Sequence, residues 1–88
     1  MEDFKITVLE TITDINNRSN TSEIVTYLNA ELLMQFIKLY TNDKDTELVN
    51  INIRLEDKYH TIITLNKYNA SNNIKHNIVF NITDPALV

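Results

Sequence analysis

Apolar and polar residues alternate in two separate parts of the chain, which is the pattern of β-strands. Near the start, Phe4, Ile6 and Val8 occupy every second position with polar residues between them, as in a strand with one buried face. We predict the first strand at about residues 3–12. The same alternation recurs later and predicts three more strands, at about residues 47–55, 59–66 and 74–83.

A stretch with helical periodicity follows the first strand. After the turn-forming run DINNRSN, apolar residues recur at helical spacing without an interrupting Pro or Gly, and we predict one long helix at about residues 21–41. Asn20 and Glu23 have the spacing of a capping pair at its start. Asn42 is expected to end the helix in the place of the usual glycine.

The predicted helix has two apolar stripes. We expect the first to pack on a sheet; it consists of Val25, Leu28, Leu32, Phe36 and Leu39. The second stripe lies beside it, and a four-stranded sheet need not cover both. This second surface, the helix flank, is a candidate interface made of Ala30, Leu33, Met34, Ile37 and Tyr40.

The second and third predicted strands have the spacing of a hairpin. A three-residue loop at 56–58 would pair Leu55 with Tyr59 and keep the apolar residues of both strands on one face. A two-residue turn would mix the faces, so we prefer the longer loop. It requires a left-handed backbone near Asp57 or Lys58.

Together these elements predict a single α+β domain spanning residues 1–88, because a chain of 88 residues has the size of one domain. The order is β-α-β-β-β, with the long helix on one face of a four-stranded, mostly antiparallel sheet. We expect a right-handed crossover to place the first strand parallel to the second or the last strand.

Charge and composition narrow the partners. Twelve acidic residues against eight basic ones give a net charge of −4, so nucleic acid is not an expected partner. The absence of cysteine excludes disulfides and thiolate metal sites. The acidic start of the chain is unlike a signal peptide, and no apolar run reaches about 18 residues. We therefore expect no membrane segment and a cytoplasmic location, in the host cell if the protein is viral.

The sequence offers little for catalysis or metal binding. His60 is predicted to point outward and His76 inward, and neither has a histidine or carboxylate at ligand spacing. Asp43, Asp45 and Glu47 alternate as calcium ligands do, but the glycine and the final glutamate of that motif are missing. We expect no enzymatic activity, no catalytic or metal-binding residue and no cofactor.

The outward face of the predicted sheet is a second candidate surface. It is polar but nearly uncharged, with Leu9, Ile62 and Val79 as an apolar centre inside a hydrogen-bonding rim. It lacks the aromatic residues on which RNA bases stack. The candidate contact residues, the sheet-face set, are Leu9, Asn50, Asn52, Arg54, His60, Ile62, Thr64 and Val79.

These two surfaces predict a small non-enzymatic protein that acts by protein–protein interaction, with another protein or a second copy of itself as the partner. Small size and acidity favour an inhibitor or accessory factor of a phage or mobile element, of the anti-defence or immunity type. The alternatives are a structural or assembly protein of a phage or other particle, and a small ligand-binding or nucleic-acid-binding module.

Overall fold

Five strands and one α-helix form the protein in the computed structural model, which describes residues 3–87. The elements are β1 (Phe4–Thr13), β2 (Ser19–Leu28), α1 (Ala30–Thr41), β3 (Glu47–Leu55), β4 (His60–Asn69), β5 (Ile74–Thr83) and a final 3₁₀ turn (Pro85–Leu87). All strand pairs are antiparallel, in the order β2-β1-β5-β4-β3. The helix packs on one face, here called the inner face, and the other is the outer face.

The α+β class and the single helix on one sheet face are confirmed, but the number of strands is five rather than four. The segment predicted as the first half of a long helix over 21–41 is strand β2, and α1 has only 12 residues. The local composition explains the error, because β-branched and aromatic side chains favour strands. Those side chains are Thr21, Ile24, Val25, Thr26 and Tyr27.

The turn between β1 and β2 makes this strand possible. The Asp14 carboxylate accepts hydrogen bonds from the backbone N–H groups of Asn16 and Arg18, at 2.9 and 3.0 Å. Asn17 has φ of 62°, a left-handed conformation that asparagine tolerates better than most residues. The turn thus returns the chain beside β1 and pairs Thr13 with Ser19.

The two ends of α1 are capped by asparagines. At the start, the Asn29 side chain accepts a hydrogen bond from the Leu32 backbone N–H at 2.9 Å, whereas the predicted cap, Asn20, lies in β2. At the other end Asn42 is the cap, as predicted, and its N–H donates to the Lys38 carbonyl. Its φ of −101° is not left-handed, so it does not replace glycine in that sense.

The hairpin of β3 and β4 has the predicted loop length with a different register. Leu55 pairs with Thr61 rather than Tyr59, because the Asp57 carboxylate accepts the backbone N–H groups of Tyr59 and His60 and closes the loop at 57–59. A displacement of two residues keeps Ile51, Ile53 and Leu55 on their predicted inner face. A register irregularity between Leu48 and Asn50 places Leu48 on that face instead of Val49, which was predicted there opposite Leu65.

The left-handed backbone predicted near Asp57 or Lys58 is not observed. Among the described residues, positive φ angles occur at Asn17 and Asn73.

Strand β1 lies beside the last strand, one of the two predicted neighbours, but the two strands are antiparallel and not parallel. The additional strand β2 is the reason. The turn from β1 into β2 reverses the chain once more than predicted. Every later strand therefore runs in the opposite direction to the predicted one, and the last strand is antiparallel to β1. The predicted right-handed crossover is therefore wrong.

The hydrophobic core lies between α1 and the strands β1, β5 and β4. Phe80 is fully buried at its centre, with the rings of Phe36 and Tyr40 at 6.1 and 5.2 Å in edge-to-face geometry. The buried apolar residues are Ile6, Val8, Leu33, Leu65, Ile78, Phe80 and Ile82.

The side of α1 that packs on the sheet is only partly the predicted one: Phe36 of the first stripe contacts Phe80, but Leu33 and Ile37 of the second stripe also face the core. Leu33 is 9% exposed and faces the sheet, whereas Leu39, from the stripe expected to pack, is 73% exposed. The predicted stripe included Val25 and Leu28, which belong to β2. Without them, the most apolar side of the shortened helix is the one that contains Leu33 and Ile37.

This orientation predicts unequal costs for two identical substitutions in α1. We expect Leu33→Ala to lower the free energy of unfolding by about 2–5 kcal/mol, because it opens a cavity in the core. Leu39→Ala should change it by less than about 0.5 kcal/mol. Urea unfolding followed by circular dichroism measures both, and equal losses would contradict the observed orientation.

Candidate functional site

The helix flank is divided between core and surface. Leu33 is buried, and Ile37 and Tyr40 are half-buried against the core. Ala30 and Met34 are exposed. Most of the flank therefore stabilises the monomer.

The two exposed sides of α1 face different strands. Leu32, Gln35, Phe36 and Leu39 line a shallow groove of about 260 Å³ with Leu28 of β2, so this side of the helix is directed toward β2. Successive helix residues turn by about 100°, which places Met34 on the opposite side. Ala30 and Met34 are thus directed toward β4 and β3.

The sheet-face set lies on the outer face. Leu9 pairs with Val79, Val79 with Thr64 and Thr64 with Asn52, so the four form one row across the sheet. Arg54 and Ile62 are paired in the next row. Asn50 and His60 share this face. The register therefore brings the eight residues together on one surface.

Hydrogen bonds between side chains cross the strands on this face. Thr11 and Thr21 are joined at 2.9 Å, and Thr13 and Ser19 at 2.8 Å. Farther along, Asn77 Nδ2 donates to Asn66 Oδ1 at 2.6 Å. Such cross-strand pairs stabilise the sheet and occupy polar groups that a ligand would otherwise use.

A concavity of about 500 Å³ opens near one end of the sheet. Its lining residues are Thr13, Val49, Asn66, Lys67, Tyr68, Lys75, His76 and Asn77. Most of these belong to the outer face, so an aromatic residue, Tyr68, lies there contrary to prediction. The sequence pattern predicts an end of this strand at residue 66, whereas β4 continues to Asn69. The apolar–polar alternation stops at Leu65, because Lys67 takes the inner position and Tyr68 the outer one, so the strand propensity of Tyr68 was the available signal for the longer strand.

The two histidines lie on opposite faces, as predicted, but each has a carboxylate neighbour that was not predicted. His60 Nδ1 is 2.8 Å from an Asp57 oxygen, and His76 Nδ1 is 3.5 Å from Glu10 Oε2. Backbone hydrogen bonding from Tyr59, followed by the contact with His60, holds the pKa of Asp57 below its usual value of 3.8. Among residues 3–87, no group of three or more His, Asp or Glu side chains is arranged to hold a metal ion.

Polar groups close the inner face at the C-terminal end of α1. Lys67 is buried, and its Nζ lies 3.6 Å from Asp43 Oδ2. The Asp45 backbone N–H, and to a lesser extent Lys67, lowers the pKa of Asp43. Burial, followed by the charge of Glu10, raises the pKa of Tyr40. Together these ionisable groups mark the end of the apolar core.

Strand β3 carries the most exposed aliphatic side chains of the sheet. It is an edge strand, and every one of its residues is exposed. Along its inner side the exposed fraction rises from 37% to 48%, 64% and 76%. We call these four residues the apolar row: Leu48, Ile51, Ile53 and Leu55. The alternation predicts Ile51, Ile53 and Leu55 as core, with Val49 in the place of Leu48. Nothing in a strand's own pattern reveals that the helix does not reach it.

Comparisons with models of protein families, with curated proteins and with solved structures give no match. Within residues 3–87, no helix combines the length and the apolar character needed to cross a membrane.

The Asp57 loop predicts a pH-dependent contribution to stability. A carboxylate with a lowered pKa stabilises the fold above its unfolded pKa, near 3.8, and this contribution is lost as the pH falls through the lower folded value. Asp57→Ala should therefore lower the Tm more at pH 7 than at pH 2. Asp57→Asn keeps an acceptor oxygen and should lose less. A difference between wild type and Asp57→Ala that is equal at both pH values would contradict this assignment.

Proposed function

We propose that the protein works by protein–protein contact through β3, as an inhibitor or accessory factor of a phage or other mobile element. The observation that carries the proposal is the apolar row, which leaves four aliphatic side chains exposed on one edge strand. Exposed apolar patches of this kind are typical of interaction sites.

The position of β3 at the edge of the sheet also supports a protein contact there. An edge strand has unpaired backbone groups that can bind another chain, and natural proteins usually protect such edges with charges, prolines or covering elements. Charged side chains of β3, such as Arg54, share the outer face with Asn52, while its inner side is aliphatic. A partner that covers the inner side of β3 would remove both the exposed aliphatic surface and the open edge.

The inhibitor or accessory role is supported by the single small domain and its net charge of −4, which are common to many proteins that act by binding alone.

An assembly protein is the second candidate, and the two open edges favour it. Strands β2 and β3 end the sheet on opposite sides. A contact between the β2 edge of one copy and the β3 edge of the next would be heterologous, and such contacts continue into filaments when they do not close into rings.

Two adjacent residues of β3 provide a matched test. Ile53 belongs to the apolar row, whereas Asn52 points to the outer face, and both are exposed. The affinity-tagged wild type, Ile53→Asp and Asn52→Asp are expressed in the natural host, and co-purified proteins are quantified by mass spectrometry. We expect Ile53→Asp to reduce partner recovery at least about tenfold, since a charge would be buried in the contact. Asn52→Asp should leave it unchanged.

The two variants also separate the candidate surfaces. Loss of the partner with Asn52→Asp alone would assign the contact to the outer face and contradict the proposal. Equal recovery with all three proteins would contradict it as well. Circular dichroism of each variant establishes that the fold is retained, which is expected because neither side chain is buried.

A further inference from the structure

We propose that the partner of the apolar row is a second copy of this chain, and that the two copies pack with the inner face of β3 and the half-buried Thr61 and Ile63 of β4 against each other. This inference rests on the proposed function and specifies its partner. The two-fold contact would leave the outer faces of both copies free.

The chemistry of the patch favours self-association. A two-fold interface brings the same surface of two molecules together, so it must be complementary to itself. An aliphatic surface meets this condition, whereas a charged one places like charges opposite each other. Over residues 48–55 the inner side of β3 carries aliphatic side chains and no charged one. Two copies that each carry a net charge of −4 can therefore meet here without close repulsion between side chains.

The exposed apolar area is also large enough for an interface between two copies. The apolar row and Met34, which is 63% exposed, each offer on the order of 100 Å² of accessible surface, so two copies would bury about 1,000 Å² or slightly more. That meets the lower bound of about 1,000 Å² for a biological interface. Burial of the β3 backbone edge would add to it.

The position of α1 determines where the partner's strands can lie. Packed sheets lie about 10 Å apart, which is the spacing of a helix layered on a sheet. The partner's β3 and β4 would therefore occupy the same layer as α1, beside the side of the helix that carries Ala30 and Met34. Each open β3 edge would then lie against the partner's helix, which is one of the ways in which proteins protect edge strands.

The mass in solution tests the association. Light scattering of the purified protein at rising concentration should approach twice the monomer mass of 10.3 kDa, and Ile53→Asp should return it to the monomer. Ile24→Asp is the matched control, because Ile24 is a half-exposed residue of the inner face on the opposite edge strand. It should leave the dimer intact.

A wild type that stays monomeric up to high micromolar concentration would overturn the inference. The proposed function would stand or fall separately, by the recovery of a foreign partner with Ile53→Asp and Asn52→Asp. Dispersal by Ile24→Asp but not by Ile53→Asp would place the contact between copies on the β2 edge and overturn the inference.

Cross-linking tests the arrangement, and the absence of native cysteine makes it specific. Met34→Cys and Ile53→Cys variants with different tags are co-expressed and treated with a short bis-maleimide reagent. We expect a linked dimer that contains both tags. Leu39→Cys, on the β2 side of α1, replaces Met34→Cys as the control and should not link. A dimer without the Met34 to Ile53 link would overturn the face-to-face arrangement in favour of pairing between the two β3 edges.

Discussion

A helix of 12 residues covers one face of a sheet of five strands, and most features of this molecule follow from the difference in width. A helix with its side chains is about 10 Å wide and strands are about 4.8 Å apart, so one helix covers two or three strands. Here it covers β1, β5 and part of β4, around the fully buried Phe80. The aliphatic side chains of β3 are left in contact with solvent.

The two edges of the sheet differ in the residues that they present. On the inner side of β2, polar residues such as Asn20, Ser22 and Thr26 alternate with few aliphatic ones. These polar side chains can remain exposed to solvent without a partner that covers them. On the inner side of β3 the corresponding positions are aliphatic. The asymmetry of the edges, more than their exposure, makes β3 the better candidate for a protein partner.

The polar groups of the protein have mainly local structural partners. Asparagine and aspartate side chains bind nearby backbone N–H groups in the turns at Asp14, Asn29 and Asp57, which supplies turn geometry in a chain without glycine. Lys67 and Asp43 close one end of the core. These charges and hydrogen bonds thus support the fold.

Local periodicity was sufficient for the strands at residues 47–55 and 74–83 and for the end of the helix at Asn42, because these depend on residues close in sequence. It was insufficient for β2, where helical spacing and strand propensity coincide over Thr21–Leu28 and only pairing with β1 decides between them. The sequence also determined that β3 has one aliphatic side. Only the tertiary structure decided that this side is uncovered, because coverage depends on the width of the sheet and the position of the helix.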